Sequence, residues 1–268
     1  MPELPEVETV RRILAKKVLG ETIAAVSVYY EPMIRDGVDR FLTIRGQRIE
    51  GFERIGKHLI FRLSKSVMIV HLRMEGKFYI KRDEPKEKHE HVILRFQSGR
   101  TLRFHDVRKF GTFTLRTKHD YLLLPPLSLL GPEPKDADPK EIHGLLKRKH
   151  VAIKTALLDQ HVIAGLGNIY VDETLFRSGI HPTRRTDSLS ETEVERIIIE
   201  ARAVLAQAVS LGGSSIRSYT ATLGVTGRFQ TELMVHMREG ESCPICRRPI
   251  IKMKVGGRGT YVCPYCQT

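Results

Sequence analysis

At 268 residues the chain is long enough for one large domain or two modest ones with real cores. Its 44 Lys+Arg against 31 Asp+Glu leave a formal charge of +13, which points to a polyanion, most simply nucleic acid, with an acidic membrane surface as the alternative. No apolar run approaches membrane-spanning length, and the first residues lack a signal peptide's charged head and apolar stretch, so a cytosolic protein is expected. Trp is absent, which argues against extensive base stacking on aromatic platforms.

The chain opens Met1-Pro2-Glu3-Leu4-Pro5-Glu6-Val7-Glu8-Thr9. A small second residue lets the initiator Met be trimmed, which would expose Pro2 as a secondary amine able to attack an electrophilic sugar carbon and form an iminium. Glu3 would then set a carboxyl beside that nucleophile. The rival reading is a plain helix start, with Pro near the first turn and acids at the positive end of the dipole. Val7, Val10, Ile13, Leu14 and Val18 recur at helical spacing after it, and Gly20 stops the helix.

From Glu21 to about Leu115 short β-type runs take over: Ile23–Tyr30, His58–Leu63, Val67–Leu72, Phe78–Lys81, His91–Phe96, Thr101–Phe104 and Thr112–Arg116. Such spacing predicts a sandwich or barrel with the first helix packed outside it. Leu123 to Pro139 holds five Pro and reads as an interdomain linker. Helical periodicity then returns. Asp138-Pro139 starts one helix, Ile153, Leu157 and Leu158 mark the next, and Asn168 can cap a third that ends at Gly179. Ser190 with Glu193 forms a capping box before a long helix closed by Gly212-Gly213. The stretch Gly212–Gly227 is rich in Gly, Ser and Thr and reads as a loop.

All four cysteines lie in the last 26 residues, as Cys243-Pro-Ile-Cys246, sixteen residues, then Cys263-Pro-Tyr-Cys266. Two such knuckles complete a tetrahedral four-thiolate site, so one structural Zn2+ is expected on Cys243, Cys246, Cys263 and Cys266, rather than a redox dithiol. Arg247, Arg248, Lys252, Lys254 and Arg258 lie between the knuckles and make the ribbon basic. Gly165-Leu-Gly167-Asn168 lacks a dinucleotide fingerprint's third Gly and follows helical residues. Its turn is either a phosphate seat or a simple helix cap, and the two weigh equally. In His71-Leu-Arg73-Met74-Glu-Gly76 and His105-Asp-Val-Arg108-Lys-Phe110-Gly111, an apolar tip beside an Arg suits wedging into a base stack, although such residues more often serve a core. Lys57, His89 and His91 carry little signal singly.

Together these residues resemble the formamidopyrimidine-DNA glycosylase family of bacterial oxidised-purine repair enzymes. The resemblance runs through Pro2–Thr9, Gly56-Lys57, His71–Met74, Asp106–Gly111, Leu157–Gln160, Gly165–Asp172 and the four Cys. It implies an α+β fold: an N-terminal β-sandwich with a packed helix (1–117), a linker (118–137), a helix–two-turns–helix domain (138–233) with a lesion-covering loop near 214–230, and a zinc finger (234–268). It implies excision of 8-oxoguanine and formamidopyrimidines from double-stranded DNA, preferably opposite cytosine, by a monomer, followed by β,δ-elimination. Pro2 would attack C1′, Glu3 would move protons, Lys57 would serve the first elimination and Arg258 the second. Asn168, His89 and Lys149 match DNA contacts, Lys154 a functional lysine, and Met74, Arg108 and Phe110 the trio filling the gap left by the flipped base.

The chain departs from the family's pattern at His236-Met237-Arg238, where Tyr-Gly-Arg is common, and at Arg247, where Gly usually supplies a positive φ. Both departures bear on the finger's geometry and on where Arg258 sits. The nearest enzyme alternative is an endonuclease VIII-like relative acting on oxidised pyrimidines, against which Glu3-Leu4-Pro5-Glu6 and Arg108/Phe110 argue. A non-catalytic zinc-ribbon DNA binder is the alternative from another class. A membrane-surface role fits least, because the basic residues do not gather on one amphipathic helix.

Overall fold

Eight strands form where the pattern predicts seven. A computed structural model describes residues 1–214 and 227–268. Helix α1 (Leu4–Val18) is followed by β1 (Ile23–Val28), a short α2 (Val38–Leu42), β2 (Ile49–Ile55), β3 (His58–Leu63), β4 (Ser66–His71), β5 (Lys77–Lys81), β6 (Glu90–Phe96), β7 (Thr101–His105) and β8 (Thr112–Thr117). All pair antiparallel in two four-stranded sheets, ordered β1-β6-β7-β5 and β2-β3-β4-β8. Strand β2 escapes the sequence pattern because Glu50, Gly51, Glu53 and Arg54 interrupt its apolar residues. It lies at a sheet edge, where one side remains wet and such residues are tolerated. Helix α1 packs against β2 and β3 through Val7, Val10 and Leu14.

A chain of edge-to-face and tilted aromatic contacts joins the two sheets. Phe52 meets Phe61 (4.7 Å), Phe61 meets Phe78 (5.8 Å), Phe78 meets Phe104 (5.2 Å) and Phe104 meets Phe113 (5.0 Å). Burying each ring is worth roughly 1.5–3 kcal/mol. The ladder is thus a substantial contributor to the sandwich's stability, and the loops after β4 and β7 are built on it.

The chain divides into two compact units, residues 1–128 with 212–227 and residues 129–211 with 228–268. The Pro-rich segment is therefore not a bare tether. Arg116 donates to the Pro125 carbonyl and Tyr121 to Glu53, within the first unit. The Gly131 N–H donates to the Gln160 carbonyl, and the Ala164 N–H to the Pro132 carbonyl, within the second. The second unit contains α3 (Pro139–Lys147), α4 (Ile153–Leu158), α5 (Asn168–Arg177), α6 (Glu191–Ser210) and the hairpin β9 (Ile251–Val255) with β10 (Arg258–Val262). Asp138 caps α3 through the Lys140 and Glu141 N–H groups, and Ser190 and Glu193 form the expected capping box on α6. Residues 215–226 of the loop expected near 214–230 lie outside the described residues. Among the described residues no helix is long and apolar enough to cross a membrane.

Candidate DNA-repair site and zinc centre

In the first unit the N-terminal tip is held by its own helix. Pro2 and Glu3 are buried, Glu3 to 2%, while Met1 is exposed. The Glu3 N–H donates to Glu6 Oε2 (2.8 Å) and Glu6 Oε1 accepts the Ser214 N–H (2.7 Å), so one carboxylate ties the tip to the root of the 215–226 segment. Gly213 must stay small there, since a Cβ would come 2.6 Å from Glu6 Oε1.

Two residues further on, Glu8 receives Arg11 and Arg12 at 2.8 Å each and Arg54 at 3.4 Å. Burial pushes the Glu8 carboxyl up, but the hydrogen bonds from Arg11 and Arg12 and the nearby positive charges win and hold it at about 2. Arg54 passes the restraint on by donating to the Gly56 carbonyl (3.0 Å), in the β2–β3 turn that carries buried Lys57. Pro2, Glu3 and Lys57 are thus positioned through one α1–Arg54–Gly56 linkage.

The two candidate wedge loops of this unit share one floor. After β4, the Arg73 N–H donates to His71 Nδ1 (3.0 Å), Arg73 takes φ 56°, and the Gly76 N–H closes on the Leu72 carbonyl (3.0 Å). After β7, Asp106, with no exposed surface, accepts the Arg108 N–H (3.0 Å) and the Gly111 N–H (2.8 Å). The Asp106 N–H in turn donates to the His89 carbonyl (3.0 Å). Phe104 lies beneath both: a Cβ on Gly76 or Gly111 would come 2.5 or 2.4 Å from its Cζ. The tip residues Arg108 and Phe110 are exposed, with the guanidinium 4.8 Å from the ring centroid. Met74 is half-buried and so is His89, whose ring contacts His105 and His91. His58 and His71 meet edge-to-face at 4.6 Å. Burial and the charges of Arg73 and Lys57 push His58 down to about 4, and burial with the charges of His58, Arg73 and Lys57 pushes His71 well below an ordinary imidazole, so His71 Nδ1 is available as an acceptor.

In the second unit, α5 starts after Gly167, which is its N-cap; Asn168 is not the cap. The Asn168 amide instead donates to the Gly259 carbonyl of β10 (3.0 Å), and its Oδ1 has no hydrogen-bond partner among the described residues. Arg258, next to Gly259, is exposed. Lys149 pairs with Asp159 (3.1 Å). Lys154, which the resemblance matches to a functional lysine, lies in the interior of this unit. It has no exposed surface, and its Nζ donates to Asp172 (2.7 Å) and to the Gly259 carbonyl (3.1 Å).

The four Sγ atoms of Cys243, Cys246, Cys263 and Cys266 lie within 4.8 Å of one another, with Cys243–Cys266 at 3.8 Å and Cys246–Cys263 at 3.4 Å. Four thiolates at 2.3 Å around one ion stand about 3.8 Å apart, so the donor set fits Zn2+. Arg247 holds φ 66° and Met237 φ 63°, so the chain adopts the left-handed conformation at both places where it lacks the family's Gly.

The family model for the formamidopyrimidine-DNA glycosylase N-terminal domain matches residues 1–113, that for its H2TH domain residues 130–220, and that for the zinc finger found in FPG and IleRS residues 240–268. The formamidopyrimidine-DNA glycosylase of an Exiguobacterium species is 51% identical over 275 residues, covering 100% of this chain and 99% of its own. The chain belongs to the formamidopyrimidine-DNA glycosylase family. A Lactococcus lactis FPG mutant in complex with Fapy-dG-containing DNA matches its structure with TM-score 0.94 at 43% identity, over 99% of each chain. MutM in complex with DNA containing carbocyclic 8-oxo-G matches with TM-score 0.93 at 42% identity, over 99% of each. As an FPG-type DNA glycosylase and AP lyase it carries a four-cysteine zinc finger.

Sequence spacing alone missed residues that hold these segments in place: Glu6, Phe104, Asp172, and Glu173, which accepts the Met234, Val235 and His236 N–H groups. Glu6 stands three residues after Glu3, the spacing of a capping box, and that signal was there to be read. Phe104, Asp172 and Glu173 sit inside a strand or helix with no distinguishing spacing.

Proposed function

We propose that the enzyme excises 8-oxoguanine and formamidopyrimidines from duplex DNA through an iminium on Pro2 and then nicks the strand by β,δ-elimination. The observation that carries this reading is the N-terminal tip: Pro2 buried beside Glu3, with the Glu3 backbone fixed by Glu6. Removal of Met1 turns the Pro2 amide nitrogen into a secondary amine. Its lone pair attacks C1′, the C1′–N bond to the damaged base breaks, and the base leaves with the electron pair and takes up a proton. Glu3, as proton donor and acceptor, opens the sugar to the iminium. Loss of a C2′ proton expels the 3′ phosphate, with Lys57 serving this step, and a second elimination, linked to Arg258, expels the 5′ phosphate. Water then hydrolyses the iminium and restores the Pro2 amine.

The target carbon is inaccessible within a stacked duplex, so the nucleotide must be extruded. Met74 and Phe110 would fill the gap, and Arg108 would face the orphaned cytosine, while His89, Lys149 and Asn168 hold backbone phosphates. The net charge of +13 supports steep salt dependence of binding. The same reading places the enzyme on bacterial chromosomal DNA in the cytoplasm, as a monomer.

The test is borohydride trapping on a duplex with 8-oxoguanine opposite cytosine, with the crosslinked peptide sequenced. A crosslink at Pro2 supports the reading. With the N-terminus established as Pro2, tight binding without a crosslink would refute it. Faster trapping on thymine-glycol duplexes would favour an oxidised-pyrimidine specificity instead.

A further inference from the structure

Two consecutive acids of α5, Asp172 and Glu173, have almost no exposed surface, and both face the segment leading into the zinc finger. Glu173 accepts three successive N–H groups, from Met234 (2.9 Å), Val235 (3.0 Å) and His236 (2.9 Å). Asp172 Oδ2 accepts from His236 Nδ1 at 2.8 Å. A carboxylate only accepts, so that ring proton is on Nδ1. Asp172 Oδ1 accepts Lys154 Nζ at 2.7 Å, and Lys154 donates again to the Gly259 carbonyl, which also receives the Asn168 amide. Hydrogen bonds therefore run from His236 through Asp172 and Lys154 to Gly259 and back to Asn168. Gly259 is the residue after Arg258.

Other features bear on the same hairpin. The His236 ring lies edge-on to Tyr261 at 5.0 Å. Thr155 of α4 sits against the β9–β10 turn, where a Cβ on Gly256 would come 2.6 Å from its Oγ1. A buried ion pair contributes little net stability compared with apolar residues of similar volume, whereas breaking it is costly. Its more specific effect here is geometric, since it dictates where the Gly259 carbonyl sits.

We propose that Lys154, Asp172 and His236 are positioning residues that set the ribbon strand bearing Arg258 in register with the α5 N-terminus bearing Asn168, and so govern how far strand cleavage proceeds to the second elimination. The proposal rests on the assignment of Arg258 to that elimination. His236 ends the chain of bonds. Without its Nδ1–H, Asp172 Oδ2 keeps, among the described residues, the 3.4 Å contact from the Tyr261 N–H, and the carboxylate is freed to turn away from Lys154.

The experiment uses the full-length zinc-loaded enzyme on a duplex with a preformed abasic site. Active enzyme is counted by borohydride trapping, and the δ-to-β product ratio is read in a single turnover. His236→Phe is expected to lower that ratio about tenfold with zinc content unchanged. His236→Asn, whose amide restores a donor near the Nδ1 position, should return it to within about twofold. Lys154→Met, at the other end of the relay, should match His236→Phe. A merely structural role would reduce the trapped fraction and leave the ratio of the remaining enzyme unmoved. A wild-type ratio in His236→Phe, alongside a lowered one in Arg258→Ala, would overturn the relay alone. An unmoved ratio in Arg258→Ala would overturn the Arg258 assignment and the relay with it.

Discussion

Replacing Gly111 by Ala tests how the candidate wedge loop after β7 is placed. The added Cβ would lie 2.4 Å from Phe104 Cζ and 2.6 Å from Cε1, with Asp106 Oδ2 at 3.2 Å. Carbon atoms pack at about 3.5–4.0 Å, so something must yield by roughly 1 Å. Phe104 has no exposed surface, is hemmed in by Phe78 and Phe113, and has Gly76 against the same edge. The loop therefore moves rather than the ring. Overpacking of this kind costs about 1–3 kcal/mol. A displacement near 1 Å in a positioned group can slow a reaction about 100-fold. Single-turnover release of 8-oxoguanine should fall by about that factor. Nicking of a preformed abasic site, where no base has to be unstacked, should fall far less. Gly144→Ala in α3 is the control, since no atom lies within 4 Å of its new Cβ. Wild-type excision and melting in Gly111→Ala would refute the argument that Phe104 sets the loop.

Three further outcomes are expected. Arg247→Gly and Met237→Gly each relieve a side chain held at positive φ, and each should stabilise the zinc-loaded protein by about 0.5–1 kcal/mol in thermal melts. His58 is neutral in the fold with its value pushed to about 4, against 6.5 for an ordinary imidazole, so the unfolded chain binds the extra proton between those values. Stability should be intact above pH 6.5 and fall by up to about 3 kcal/mol as pH drops through 4, and His58→Phe should flatten that part of the melting profile. Asp159→Asn releases Lys149 from its ion pair, and should tighten DNA binding and steepen its salt dependence by up to about one unit of slope, measured by titration at several salt concentrations.

Much of the protein was legible in the chain because it rests on local rules. The capping box at Ser190 and Glu193, the Asp138 cap, strand β3 at His58–Leu63 and the paired cysteine knuckles all depend on spacings within a few residues. At such short range the chain has little freedom to do otherwise. The family resemblance was legible for the same reason, since it is carried by short strings such as Pro2–Thr9 and Asp106–Gly111.

Tertiary structure decided what those strings are attached to. Strand β2 is a strand because β3 and α1 give it partners, although its own composition argues against it. Nothing local to Lys154 says where its charge goes; α5 and β10 close over it and make it an internal donor. Asn168 occupies a helix start, and the ribbon 91 residues away takes its amide. Phe104 is one more apolar residue of a strand until two loops close on its ring. Each of these rests on contacts between residues far apart in sequence, whose geometry depends on burial and packing that no local spacing encodes.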